Sequence, residues 1–228
     1  MTMTSSTTTA LSETLMKRET AMPADASFWD RNAEKYSKSP IKNMDAYRET
    51  MDRTRAHLKP GDNVLEVGCG TGSTALLLAP KVKHITGSDI SAKMIEIAQG
   101  KVVDDKPKNV DFLQCTPFDE QLKDRSYDAV MAFSFLHLVE DLPATLARIH
   151  ALLKPGGLLI SKTVCLAEQT RLWGVPIAVM RCFGLAPYVN LLTAHALESA
   201  ITDARFKILE TGFYPARPPA RFVVAKKM

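Results

Sequence analysis

The feature that most constrains this chain is a strand that ends on spaced glycines. Residues 64–72 read Val-Leu-Glu-Val-Gly-Cys-Gly-Thr-Gly, and a helical run begins near Thr74. Glycines at 68, 70 and 72 let the backbone turn tightly off the strand and approach a ligand with no Cβ in the way. The helix that follows leaves N–H groups unpaired at its start. Such a turn suits a nucleotide-like ligand at the carboxyl ends of parallel strands. A phosphate-binding loop needs two glycines five positions apart, then Lys and a hydroxyl residue, and no such run occurs. A dinucleotide fingerprint needs GxGxxG. From Gly68 the spacing is GxGxG with Ser73 next, so the closing glycine comes one residue early. Glu66, just before the turn, opposes a pyrophosphate but can meet a cationic ammonium group.

The rest of the chain repeats the same strand–helix alternation. Short apolar strands are expected at 64–67, 82–87, 110–113, 127–133 and 158–165. Helices are expected at 74–79, 92–103 and 142–153, and Pro155-Gly156-Gly157 is read as the turn into the fifth strand. Continuous apolar strands between helices argue a parallel sheet covered on both faces. Two last strands, 206–211 and 222–225, lie close enough in sequence for a hairpin, which makes the final strand antiparallel. The fold class is therefore α/β: a doubly wound, mostly parallel seven-stranded sheet, Rossmann-like, with an antiparallel last strand, helices on both faces and a helical cap after strand 5. Upstream, Phe28, Trp29, Ala33 and Tyr36 recur near helical spacing, and a second helix is expected from Asn43 to His57. Residues 1–26 are Thr-rich and read as a flexible arm with at most a weak helix over 9–20. Residues 27–228 form one domain.

At 228 residues the chain can bury a sizeable core without disulfides or metal. Twenty-nine Lys and Arg against twenty-five Asp and Glu give +4, in scattered small clusters, which does not make a nucleic-acid-binding face. Cys69, Cys115, Cys165 and Cys182 form no CxxC and no His stands at zinc spacing, so no metal site is expected. Cys115 and Cys165 read as buried thiols. The first residues lack a basic start and a long apolar core, so a cytoplasmic location is the default.

Four ordered segments carry a family resemblance. Glu66–Gly72 resembles the first motif of class I S-adenosylmethionine-dependent methyltransferases. Asp89, in Gly-Ser-Asp-Ile-Ser, ends the second strand as an acidic residue does there. Tyr127–Phe133 followed by Ser134-Phe135-Leu136-His137 resembles the fourth strand, and Leu152–Ile160 resembles the turn and fifth strand. Together they span roughly residues 60–165. The resemblance implies S-adenosylmethionine as cofactor, with S-adenosylhomocysteine as product and no metal. It implies that Gly68, Cys69 and Gly70 pass beside the methionyl part, with Glu66 beneath it. Asp89 takes the ribose hydroxyls and Ile90 packs on the adenine. Thr116 and Pro117 line the adenine edge, where the family often has Asp in place of Thr116. Phe133 and Ser134 lie beside the sulfonium, and Tyr36 closes over the cofactor from the N-terminal helices at 27–58. Trp29 reads as packing.

The implied reaction is in-line methyl transfer, in which orientation and water exclusion carry much of the work. A general base is needed only where the nucleophile must lose a proton. His137 is the candidate, with two readings open: chemistry, or packing against Leu138 at a helix start. Glu140 and Asp141 read as helix caps and His150 as a surface residue. The apolar insertion at 168–197 is expected to form two short helices over the domain. A surface helix touching membrane, a substrate lid or a dimer face stay open. Its polar residues Arg171, Arg181, Tyr188 and His195 are the substrate-binding candidates, Arg181 either meeting an acidic group or reaching solvent. The acceptor is expected to be a small molecule, hydrophobic or lipid-like, and the protein a monomer or homodimer. The other readings are an aminopropyltransferase or nucleotide-cofactor oxidoreductase on the same fold, and a silent cofactor-binding protein.

Overall fold

In the computed structural model the described residues are 24–102, 107–168 and 174–228. Two N-terminal helices, α1 (Ala24–Lys38) and α2 (Met44–His57), precede a seven-stranded sheet. The elements then run β1 (Asn63–Val67), α3 (Ser73–Leu78), β2 (His84–Asp89), α4 (Ala92–Gly100), β3 (Val110–Gln114), β4 (Tyr127–Phe133), α5 (Leu142–Leu152), β5 (Leu153–Val164), α6 (Gly174–Cys182), α7 (Ala194–Asp203), β6 (Phe206–Phe213) and β7 (Ala220–Lys227). The strand order is β3-β2-β1-β4-β5-β7-β6. The pairs among β1 to β5 are parallel, and β7 runs antiparallel to both β5 and β6. The expected fold class is the observed one.

Alternation along the strands splits the core in two. Leu65, Val67, Val130, Ala132 and Leu159 face α5 and α7. Val64, Met131, Ile160, Phe222 and Val224 face α2, α3 and α4. Both faces are covered by helices, so the central strands read as largely apolar runs. Helix starts follow local chemistry: Asn43, Ser91, Asp141 and Thr193 each accept a backbone N–H of their own first turn, at 2.9–3.1 Å.

Three expectations change. The fifth strand starts at Leu153, so Lys154–Gly157 belongs to it. The register shifts there. Gly156, at φ +74°, lets the strand bulge, and Lys154 Nζ meets both oxygens of Asp128 at 2.8 Å. Next, the insertion holds one helix, α6, not two among the described residues. A Schellman turn stops it: Gly184 takes φ +66°, Gly184 N donates to Arg181 O at 2.9 Å and Leu185 N to Met180 O at 2.8 Å. The apolar side chains on and just after α6 do not pack over the domain, while Leu192 and Leu197 further along the insertion join the core. Val175, Phe183 and Leu185 are 69%, 74% and 65% exposed. Finally, His150 is half-buried, its ring edge-on to Phe206 at 5.2 Å.

The first helix begins at Ala24, inside the stretch assigned to the arm. The rest of that arm, with the weak helix over 9–20, lies outside the described residues. No helix among the described residues is long and apolar enough to cross a membrane.

Candidate functional site

The glycine turn sits at the carboxyl end of β1 and takes left-handed backbone at each glycine: φ +66° at Gly68, +53° at Gly70 and +73° at Gly72. Two of the three are fixed by their neighbours. A Cβ at Gly68 would stand 2.6 Å from Phe135 Cδ2, and one at Gly72 would stand 2.5 Å from Phe112 Cζ. At Gly70 the nearest atom is Tyr36 Cε1, at 3.8 Å. The turn is thus closed from below by Phe112, beside β4 by Phe135, and roofed at Gly70 by Tyr36.

Asp89, the last residue of β2, ties this turn to the next helix. One carboxylate oxygen accepts Gly70 N at 2.9 Å and the other accepts Ser91 N at 2.9 Å. Each oxygen keeps a lone pair for a further donor. Burial raises the Asp89 pKa, these N–H groups pull it down and Asp30 pushes it up again. Asp30 itself reaches across from α1, accepting Ser91 Oγ at 2.6 Å and Lys93 N at 3.1 Å. That contact fixes α1, and with it Tyr36, over the site. Tyr36 is 54% exposed, and partial desolvation raises its phenol, with the Glu66 and Asp89 charges adding to it. Trp29 packs edge-on to Tyr36 at 6.4 Å.

Glu66 lies under the turn, buried, with Oε2 lacking any hydrogen-bond partner. Burial pushes its carboxyl up to about 8, opposed by the Ala75 N–H and reinforced by Asp89. Cys69 is buried beside it, its thiol raised well above the ordinary value by burial. Residue 90 follows Asp89 half-buried, and Ile90 O accepts Gln114 Nε2 at 3.3 Å. At the end of β3, Cys115 N donates to Asp89 O at 3.0 Å, which brings Thr116 and Pro117 to the same edge. The Thr116 hydroxyl accepts Phe118 N at 3.3 Å. Phe133 ends β4, and Ser134 follows at φ +52°, its N–H on Lys162 O at 2.7 Å. A non-glycine residue in that region is a strained conformation, shared in this structure by Arg125 and Arg205.

The structure therefore gathers Tyr36, Glu66, Gly68, Cys69, Gly70, Asp89, Ile90, Thr116, Pro117, Phe133 and Ser134 along the carboxyl ends of β1 to β4. The residues fit S-adenosylmethionine on two observations. An orphaned buried carboxyl oxygen on Glu66 awaits a donor, and at Gly70 the space a Cβ would take is open, with only Tyr36 Cε1 at 3.8 Å. Among the described residues no cluster of His, Cys, Asp and Glu can hold a metal ion.

Protonation of Glu66 has a stability consequence. Its pKa is about 8 folded against 4.5 unfolded, so the folded state binds the extra proton between those values. The stabilising proton is fully present below pH 4.5 and lost as pH rises through 8. Stability of the ligand-free protein should fall by ~2 kcal/mol between pH 6 and pH 8 from this group. Glu66→Gln removes that slope. Urea denaturation at both pH values checks it, and equal slopes in the two proteins would contradict it.

His137 lies in a single helical turn, Leu136–Leu138, 9% exposed. Burial lowers it to about 4 and its Nδ1 has no partner. It is a neutral imidazole and a weak base near neutrality. Its carbonyl accepts Asn190 N at 2.7 Å, which pins the chain after α6 beside the end of β4. Of the substrate candidates, Arg181 pairs with Glu140 at 3.0 Å and lies 4.9 Å over the Tyr188 ring. His195 stands exposed in the first turn of α7. Arg171 lies outside the described residues. Asp141 caps α5 as expected. Sequence reasoning missed Asp30, Phe112 and Phe135. Only Asp30 carried a signal, an acid following Trp29.

A family model described as a methyltransferase domain matches residues 41–211. Demethylmenaquinone methyltransferase of Symbiobacterium thermophilum is 36% identical over 118 residues, which cover 50% of this chain and 46% of that protein. The ubiquinone/menaquinone biosynthesis C-methyltransferase of Xanthomonas oryzae is 30% identical over 150 residues, covering 64% and 58%. The chain spans about half the length of these curated relatives. Among solved structures, a chain of the Haloferax volcanii complex between the Trm112 methyltransferase activator and a methyltransferase superposes with a TM-score of 0.71. It is 19% identical, with 87% of this chain and 96% of that chain covered. Glycine turn, acidic β2 end, strand order and matched residues agree, and the chain belongs to the class I S-adenosylmethionine-dependent methyltransferase family.

Proposed function

We propose that this protein methylates a small, apolar, quinol-type acceptor at the carboxyl end of β4. The observation that carries the cofactor half of this reading is the orphaned Glu66 carboxyl beneath a glycine turn tied to Asp89. S-adenosylmethionine supplies a methyl group on a sulfonium whose departure leaves a neutral thioether. Under this reading Glu66 would hold the ammonium, its own proton passing to solvent, and Asp89 would accept the ribose hydroxyls. Ile90, Thr116 and Pro117 flank the base, and Tyr36 shields the roof from water. The protein's contribution is then positioning and desolvation. His137, neutral and buried, holds the Asn190 segment in place and takes no proton from substrate.

The quinol half is supported by the names of the two relatives above and by the chemistry of the entrance. Val175, Val179, Met180, Phe183 and Leu185 leave an exposed apolar strip on and after α6. Arg31 Nη2 reaches Gly184 O at 3.4 Å, so this strip adjoins the helix that carries Tyr36. Such a strip suits an acceptor with a hydrocarbon tail drawn from a lipid phase. A reduced quinol ring is electron-rich and nucleophilic at carbon or oxygen, whereas the oxidised ring is electrophilic. Methyl-labelled cofactor incubated with a bacterial lipid extract should put label into the organic phase, and only when the extract has first been reduced. Label confined to the aqueous phase would overturn the apolar acceptor.

A further inference from the structure

Lys162 stands at the carboxyl end of β5 on the sheet face that carries Glu66. The register fixes this. Glu66 pairs with Met131 and Met131 with Ile160, and two residues further along the same face Phe133 pairs with Lys162. Adjacent strands lie about 4.8 Å apart, so Lys162 is one strand spacing from Phe133. Its carbonyl holds the N–H of Ser134, the strained residue at the end of β4.

Helix α2 crosses this face above both acid and lysine. Burial raises the Tyr47 phenol, its hydrogen bond with Thr74 lowers it and the Glu66 charge raises it again, so Tyr47 lies near Glu66. Thr50, one turn further along α2, meets Lys162: Nζ donates to Thr50 Oγ1 at 3.4 Å. That hydroxyl spends its own proton on Ala46 O at 2.6 Å, so it is a lone, long-range acceptor. Lys162 has no carboxylate partner among the described residues, and burial alone sets the downward direction of its pKa. Its sheet neighbours are Phe133 on one side and Phe222 on the other, with Tyr214 packed on Phe222 at 5.8 Å.

A half-buried ammonium with one weak hydrogen bond among aromatic rings is costly to keep. An anion at the same place would complete its coordination. We propose that Lys162 holds an anionic oxygen of the methyl acceptor, a phenolate or enolate, beside the end of β4. The proposal rests on the acceptor reading above. The acceptor's O–H bond breaks with its proton passing to water, and the oxygen anion stays paired with the ammonium. The oxyanion then pushes electron density to the ring carbon that takes the methyl group as the methyl–sulfur bond breaks, and the proton on that carbon leaves for water, which restores the ring and the anion.

The probe is 4-nitrophenol, whose colour reports ionisation, added to the full chain with S-adenosylhomocysteine at a pH below the probe's own pKa. Wild type should bind it as the coloured anion and lower its apparent pKa by about one unit or more, a tenfold change in ionisation. Lys162→Met should lose that shift and about tenfold in probe affinity, and Lys162→Arg should keep most of both. S-adenosylhomocysteine affinity should stay constant across the three proteins, which also reports folding. Wild type that leaves the probe un-ionised overturns the proposal without any variant, and so does a folded Lys162→Met protein that binds the anion unchanged. Retained phenolate binding with no methylation of reduced quinols would sink the acceptor reading alone. Quinol methylation without the phenolate shift would sink the role of Lys162 alone.

Discussion

Replacing Asp89 with alanine is expected to weaken S-adenosylmethionine binding by about 100-fold or more. The carboxylate is the acceptor for both Gly70 N and Ser91 N. Removing it strands two backbone donors, each costing about 1–3 kcal/mol where water cannot replace the acceptor. It also removes the group proposed to take the ribose hydroxyls. The stranded donors cost stability in the free and bound protein alike, whereas the lost ribose hydrogen bonds, about 1.5–3 kcal/mol each to a charged group, cost affinity, and about 2.7 kcal/mol corresponds to 100-fold. Asp89→Asn should fall between, because its amide keeps one acceptor oxygen. Titration calorimetry with the cofactor is the check, alongside urea denaturation to separate lost affinity from lost fold. An alanine variant that binds within threefold of wild type would remove Asp89 from the site.

The second large effect is on stability. Gly72→Ala should destabilise the protein by about 3 kcal/mol or more. Part is conformational: φ +73° places a Cβ in the left-handed region, at about 1–2 kcal/mol. Part is overlap, because the new Cβ would meet Phe112 Cζ at 2.5 Å and Ala98 Cβ at 2.9 Å. Overpacking of this kind costs about 1–3 kcal/mol. Gly61→Ala is the control. Nothing lies within 4 Å of a Cβ there, and the change should stay within about 0.5 kcal/mol. Equal urea midpoints for the two variants would show that the turn tolerates a side chain.

The strands were legible because burial on both faces forces unbroken apolar runs, and Tyr127–Phe133 shows this to the residue. Boundaries blurred where the chain bulges. Lys154–Gly157 carries the residues of a turn, yet the glycines serve a bulge inside β5, anchored by Lys154 on Asp128. The insertion misled for a different reason. Its apolar residues have the composition of a packed cap, and composition does not say what a helix packs against. Gly184 ends α6 early, and Val175, Phe183 and Leu185 stay in solvent.

At the site, spacing gave the glycine turn with Glu66 before it, because backbone geometry demands those residue types there, and the family resemblance gave Asp89. What spacing does not carry is contact across the fold. Phe135 fills the room beside Gly68 and Phe112 the room beneath Gly72, and both look like ordinary apolar residues in the chain. Asp30 reaches Ser91 from a separate helix. Lys162 reads as a routine interruption of an apolar strand, and only the register sets it beside Phe133. His137 illustrates the converse. Its position after β4 suggests chemistry, and its burial, which lowers it to about 4, removes the basicity that chemistry needs.

The most direct measurement is a mass-spectrometric assay with deuteromethyl-labelled S-adenosylmethionine and a reduced demethylnaphthoquinone. One labelled methyl group on the quinol is expected for each S-adenosylhomocysteine formed, and no product from the oxidised quinone. Cofactor that binds at the glycine turn while no reduced quinone gains label would contradict the proposed acceptor.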